Sequence, residues 1–136
     1  MADYIGMARS NYFRVRDPEA FAAFCERFNL TVITQQDQQH GELHGWMNED
    51  GGIPDFDPDA DGGDGEEVDF IGTLAEHLEP GWVAIAQEIG YEKMRYLNGY
   101  AVAVNSEGKQ VEVVLQDIFQ AARNAGLGDL MTGAEY

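Results

Sequence analysis

The fold is decided by the stretch YLNGYAVAVNSEGKQVEVVL, residues 96–115. Two runs that favour β-structure, 96–104 and 109–115, flank a four-residue turn at 105–108 that ends on glycine. This arrangement is typical of a β-hairpin. We expect the hairpin to form the centre of a sheet, so that its amides exchange with solvent more slowly than those of residues 48–69.

Further strands are predicted before the hairpin. Residues 30–34, LTVIT, are rich in β-branched side chains, which favour a strand. Residues 11–16 are also expected to form a short strand, and residues 42–47 carry a weaker pattern. Residues 82–89 alternate between two sides, as successive side chains of a strand do. One side holds Val83, Ile85 and Ile89, and the other holds Trp82, Ala84 and Ala86.

Three helices are predicted from their caps and their apolar spacing. Asp17 followed by Pro18 is a typical helix start. Asp69 is expected to cap a second helix that ends before Pro80, and a third helix is expected over about 116–125, ending at Gly126. We expect the apolar residues of all three to face the core: Phe21, Phe24, Cys25 and Phe28, then Phe70, Ile71, Leu74 and Leu78, then Ile118, Phe119 and Ala122.

These elements predict an α+β fold with two layers: a mostly antiparallel sheet, about three helices on one face, and a long acidic loop. A chain of 136 residues fits a single domain, so we expect one over 1–136. Glycines and prolines predict that residues 48–69 are a flexible loop. Residues 127–136 are expected to be a loose C-terminal tail.

The composition argues against several protein classes. No run approaches the roughly 18 consecutive apolar residues of a membrane span, and the first ten residues lack the regions of a secretory signal. The single cysteine, Cys25, cannot form an internal disulfide. We therefore expect a cytoplasmic protein that does not associate with membranes. The sequence leaves its oligomeric state open.

The formal net charge is −17, from 25 acidic and eight basic residues. Sixteen of the acids lie between Arg27 and Lys93, where there is no lysine or arginine, whereas both ends of the chain are nearly neutral. Such a surface repels phosphate backbones and anionic lipids. We therefore expect no direct binding to nucleic acid, and a basic protein, such as one that binds nucleic acid, as the partner.

The acidic segment within residues 55–69 is the first candidate site for that partner. In an extended chain alternate residues are about 6.6 Å apart, so its carboxylates would follow one another much as phosphates do along a single strand. A protein that holds nucleic acid with Lys and Arg would meet a similar field, which predicts a nucleic-acid mimic. A solvated loop without a partner is the simpler alternative. The candidate residues are Asp55, Asp57, Asp59, Asp61, Asp64, Glu66, Glu67 and Asp69.

The same segment allows a second hypothesis, a calcium-binding module. Asp57, Asp59 and Asp61 followed by Gly62 match the start of an EF-hand loop. The match fails at its twelfth position, where Val68 replaces the bidentate glutamate. We therefore expect weak divalent-cation binding at most, and no cofactor.

The sequence offers little for catalysis. Neither Ser10 nor Ser106 lies in a nucleophile motif, and Cys25 is expected to be a core residue. His40 and His44 have the spacing of a helical zinc pair, but on a strand their rings would stand about 13 Å apart. We therefore expect no catalytic residues and a protein that is not an enzyme.

A tyrosine-rich stretch near residue 95 is a second candidate for the partner surface. Tyrosine and arginine are enriched at the energetic centres of protein interfaces. The alternative is a turn whose tyrosine rings cover the sheet. The candidate residues are Tyr91, Arg95, Tyr96 and Tyr100.

Three parts of the chain carry a resemblance: NYFRVRDPEAF at 11–21, the acidic middle, and YEKMRYLNGYAVAVN at 91–105. Together they resemble small acidic proteins encoded by plasmids, phages and integrative elements. The resemblance implies an inhibitor of host defence, of the anti-CRISPR or anti-restriction type, some of which mimic DNA. It transfers no active site, because its motifs are structural.

Overall fold

The computed structural model describes residues 4–49, 51–57, 66–67, 69–92 and 96–133. It has a six-stranded antiparallel sheet with three helices, which confirms the predicted α+β, two-layer fold. No helix of the described part is long and apolar enough to cross a membrane. The elements are β1 (Tyr4–Ser10), α1 (Pro18–Arg27), β2 (Thr31–Asp37), β3 (Gly41–Asn48), β4 (Phe56–Asp57), β5 (Glu66–Glu67), α2 (Phe70–Ala75), β6 (Val83–Glu92), β7 (Tyr96–Asn105), β8 (Gln110–Val114) and α3 (Asp117–Asn124).

The predicted hairpin exists as β7 and β8, but it is not the centre of the sheet. The strand order is β2-β3-β1-β6-β7-β8, so β8 is an edge strand. The turn forms as predicted: the Asn105 side chain accepts hydrogen bonds from the amides of Glu107 and Lys109, each at 3.0 Å. The expectation of a central hairpin is wrong because β1 and β6 pair along their length and occupy the middle.

The strand predicted at 11–16 is also wrong. The strand lies earlier, as β1, and residues 11–16 make only isolated bridges from Phe13 and Val15. Asn11 is the residue that follows β1, and its contacts fix the point where the chain leaves the strand. Its side chain donates to the Val83 carbonyl and accepts from the Ile85 amide, at 3.0 and 2.8 Å, so it ties the end of β1 to β6.

The core lies on one face of the sheet, which we call the inner face. Small residues of the strands, such as Ala84 and Ala86, are buried there and leave room for the aromatic rings of the helices. Phe24 of α1 stacks on Phe70 of α2 with ring centroids 5.2 Å apart, and Phe70 meets Trp46 of β3 edge to face. Burying each such side chain contributes about 1.5–3 kcal/mol.

Both predicted acidic caps are confirmed. The Asp17 carboxylate accepts hydrogen bonds from the amides at the start of α1, and Asp69 does the same for α2. Helix α2 is shorter than predicted, since it ends at Ala75. Leu78 is nevertheless fully buried, in the turn that follows.

The prediction that α3 packs on the core is wrong. None of its residues is buried, and Ile118 is 62% exposed. The core is built from residues of α1 and α2, and α3 lies on the opposite side of the sheet, beside Ile89, Gly99 and Val113. The helix does end where predicted, with Gly126 at φ 68°. Residues 127–133 contain no helix or strand, and the rest of the predicted tail lies outside the described residues.

Candidate functional site

The residues just before the acidic segment, 52–53, are attached to the sheet; we call them its entrance. The Ile53 amide donates to the Glu88 carboxylate at 2.6 Å, and the Asn48 side chain donates to the Gly52 carbonyl at 2.8 Å. Gly52 lies so close to Glu88 that a Cβ there would overlap the carboxylate. Asn98 donates to the second Glu88 oxygen at 3.1 Å. Glu88 therefore anchors the segment, a role that the sequence did not indicate.

Within the segment, β4 and β5 pair to form a two-stranded sheet, residues 56–57 and 66–67, which we call the neck. Phe56 pairs with Glu67 and Asp57 pairs with Glu66, in antiparallel register. Residues opposite each other in such a ladder have Cα atoms about 4.5–5.5 Å apart. Residues 57 and 66 are therefore neighbours in the structure.

The exit of the segment is attached by Asp69. Its carboxylate accepts a hydrogen bond from the Gly72 amide at 2.9 Å, and its carbonyl accepts one from the Thr73 hydroxyl at 2.9 Å. These contacts begin α2. Asp69 is exposed, but its carboxylate already serves the fold as a helix cap.

The other acidic candidates are described only in part. Asp55 is exposed, just before β4. The backbones of Asp57, Glu66 and Glu67 lie in the neck. Asp59, Asp61 and Asp64 lie outside the described residues, as do Gly62 and Val68 of the EF-hand pattern.

The arrangement around β4 does not suit an EF-hand. An EF-hand loop follows a helix, whereas residues 51–55 contain no helix and Asp57 lies in a strand. Among the described residues, no group of three or more His, Cys, Asp or Glu side chains is placed to hold a metal ion.

The predicted tyrosine-rich surface is divided between the two faces of the sheet. Tyr91 pairs with Leu97, and Tyr100 lies three residues further along β7, so Tyr91 and Tyr100 point in opposite directions. Tyr96 lies at the start of β7, and Arg95 is outside the described residues. The structure therefore does not bring Tyr91 and Tyr100 together as one surface.

Tyr100 is held at the edge of the inner face. Its hydroxyl donates to the Glu112 carboxylate at 2.8 Å. Burial raises the pKa of Tyr100 to about 12, with further contributions from the hydrogen bond to Glu112 and from the charges of Glu112 and Glu88. Tyr100 is thus neutral at physiological pH, and its hydroxyl proton is already used in the hydrogen bond to Glu112.

Three reactive side chains of the described chain, Cys25, His44 and His77, lie against the core. Cys25 is fully buried, as predicted, and burial raises the pKa of its thiol to about 12. His77 lies against Phe21 and Phe24, and burial there lowers its pKa. His44 is buried with its Nε2 at 3.2 Å from the Glu42 carboxylate. None of these groups lies in an open cleft where a substrate would reach it.

A feature that sequence reasoning missed is the face of the sheet opposite the core. We call it the outer face: the side chains of β1, β6, β7 and β8 that point away from α1 and α2. The signal for it was the second apolar side of the strand predicted at 82–89. Its large side chains include Met7, Ile85, Ile89, Leu97, Val111 and Val113, which are between 37% and 66% exposed.

Comparison with known proteins adds no further constraint. No family model, no curated protein and no solved structure matches this chain.

Proposed function

We propose that this protein is a non-enzymatic acidic inhibitor that acts in the cytoplasm. It binds a basic, nucleic-acid-handling protein of a bacterial defence system, of the anti-CRISPR or anti-restriction type. The observation that supports this best is the attachment of the acidic segment at both ends, by Glu88 at its entrance and by Asp69 at its exit. A tethered segment loses less entropy on binding than a free chain does.

Charge argues for a basic partner. No lysine or arginine lies between residues 28 and 92, so the field of the segment is not neutralised by its neighbours in sequence. In the neck, Asp57 lies opposite Glu66, a spacing well within the Debye length of about 10 Å at 0.1 M salt. They therefore act together, and a partner with a Lys- and Arg-lined groove would release counterions on binding, as it does with DNA.

The test compares two variants with the same net charge. The first replaces seven acids of the segment by Asn or Gln and keeps Asp69, because Asp69 caps α2. The second replaces seven acids elsewhere that make no cap or anchor described above. Each change takes the net charge from −17 to −10. The first set is Asp55, Asp57, Asp59, Asp61, Asp64, Glu66 and Glu67; the second is Glu19, Glu26, Glu49, Glu76, Glu107, Asp129 and Glu135.

The readout is competition with nucleic acid. The partner is captured from bacterial lysate at low salt, named by mass spectrometry, and tested for DNA or RNA binding with each variant as competitor. The natural protein and the second variant should displace the nucleic acid, and the first variant should not. Equal competition by both variants would show that the segment is not the binding site.

A further inference from the structure

The outer face is large enough to be an interface. Its strands are in register, so that Met7 lies opposite Ile89, Ile89 opposite Gly99, and Val113 opposite Ala101. Nine of the described large apolar residues of β1, β6, β7 and β8 point outward, and each is between 37% and 66% exposed. Together they form an apolar area of several hundred Å², and the largest patch on a typical monomer is about 300–600 Å². A standard interface takes roughly 800 Å² from each partner, so the area of this face is of the order that a dimer needs.

The outer face also differs in charge from the rest of the chain. Among the described residues that point outward from β1, β6, β7 and β8 there is no aspartate or glutamate, and Arg9 is the charged residue. The chain as a whole carries 25 acids. Two copies that approach through other surfaces place carboxylates against carboxylates, which is unfavourable. The outward-pointing side chains of the four strands bring no carboxylates together, and Glu49 and Asp117 lie at the margins of the face.

The position of α3 leaves room for a second helix. A groove of 560 Å³ separates α3 from β6, β7 and β8, and Ile118 lies on its wall. Four strands spaced about 4.8 Å apart form a face wider than one helix, whose diameter is about 10 Å. A two-fold arrangement would bring the α3 of the second copy onto the part of the sheet that the first α3 leaves open.

Pairing through the edge strand is less favourable than packing through the face. Leu115 donates its amide to the Gly99 carbonyl, so the amides of even-numbered residues in β8 point away from β7. One of these, from Val114, is already bonded to the Asp117 carboxylate at 2.8 Å. Little of the short edge therefore remains for another strand.

From the area, the absence of acids and the open groove, we infer that the chain forms a homodimer in which the outer faces of two copies pack together. Because apolar burial drives this contact and the net charge of each copy opposes it, added salt strengthens the dimer. The proposed binding of a basic partner has the opposite dependence, since salt weakens it. A measurement at two salt concentrations can therefore contradict one of the two proposals and leave the other standing.

Sedimentation velocity over a wide range of protein concentrations tests the dimer. The natural chain should reach twice the mass of one copy, and it should do so at lower concentration in about 500 mM than in about 50 mM NaCl. A chain that remains monomeric at several hundred micromolar in high salt would overturn the inference, and the face would then belong to a different apolar partner.

A substitution on the outer face tests whether the dimer contact is made there. Ile89→Lys places a charge at the centre of the face, on β6 and away from the edge strand, and should weaken the dimer by at least about tenfold. Leu130→Lys is the matched control, because Leu130 is fully exposed outside the sheet and the change in net charge is the same. Circular dichroism checks that both variants fold. A dimer unaffected by Ile89→Lys would contradict the inference.

Discussion

The two faces of one sheet differ in what covers them. On the inner face, Ala84 and Ala86 lie under helices whose aromatic rings fill the space above them. On the outer face of the same strand, Val83, Ile85 and Ile89 are between 37% and 60% exposed. Both sides of β6 are apolar, so an apolar pattern does not by itself show that a face is buried within the chain.

Truncating a core ring should have the largest effect. Phe21 is fully buried and packs edge to face on Phe13, so Phe21→Ala should lower the free energy of unfolding by about 3–5 kcal/mol. Ile89→Ala on the outer face should change it by about 0.5 kcal/mol or less. Urea denaturation at low micromolar protein concentration measures both. Similar losses would mean that the two faces are equally buried in the single chain.

Adding a methyl group to a glycine compares the space around a position in β3, Gly45, with the space around a position in β7, Gly99. A Cβ at Gly45 in β3 would lie 2.5 Å from the Asn11 carbonyl oxygen and 2.9 Å from the Ser10 hydroxyl. Gly45→Ala should therefore cost about 1–3 kcal/mol.

The matched control is Gly99→Ala in β7. The nearest atom to its new Cβ would be Leu115 Cβ, at 3.3 Å, and Leu115 is 49% exposed and can move. Its thermal midpoint should change much less than that of Gly45→Ala. A larger loss at Gly99 would show that Leu115 is held rigidly over the outer face.

The helices α1 and α3, on opposite faces of the sheet, differ in their N-terminal caps. Asp17 accepts from the amides of Glu19 and Ala20, so Asp17→Ala should cost about 1 kcal/mol. Gln116 precedes α3 and makes no side-chain capping hydrogen bond, so Gln116→Ala should have no measurable effect. Chemical denaturation of both variants gives the comparison. A cost at Gln116 equal to that at Asp17 would contradict it.

The smallest expected effect is a pH dependence from His77. Burial beside Phe21 and Phe24 lowers its pKa below the ordinary 6.5, although the charges of Glu76 and Asp17 act in the other direction. As the pH falls through 6.5 toward the lower folded pKa, the unfolded chain binds the proton more readily, so the free energy of unfolding decreases.

His77→Phe keeps an aromatic ring at this position and removes the titration. Urea midpoints of the natural protein and the variant, measured at pH 7.5 and pH 5, should show a greater loss for the natural protein. Parallel losses would show that His77 does not contribute to the acid sensitivity.

Local signals in the sequence predicted most of the elements correctly. Residues 83–89 of the strand predicted at 82–89 lie in β6 with their two sides as expected, and Trp82 precedes the strand. The two aspartate caps lie where they were predicted. β1 was missed because its sequence, YIGMARS, has no strong strand pattern. It becomes a central strand through long-range pairing with β3 and β6.

The candidate site was predicted in part. The acidic segment is evident from composition, and the structure shows how its ends are attached. The anchoring role of Glu88 was not predictable, because its partners Ile53 and Asn98 are 35 and 10 residues away in sequence. The tyrosines at 91 and 100 looked like neighbours in sequence, but strand register places them on opposite faces.

The charge segregation, the turn at 105–108, the helix starts and the alternation of β6 follow from the amino-acid order alone, because each of these depends on residues close together in the chain. The tertiary structure decided the order of the strands, which face of the sheet is covered, and the position of α3 beside the open face. These depend on pairing between distant segments and on the limited area that two helices can cover. The covered face holds the fold together, and the open face remains available for binding.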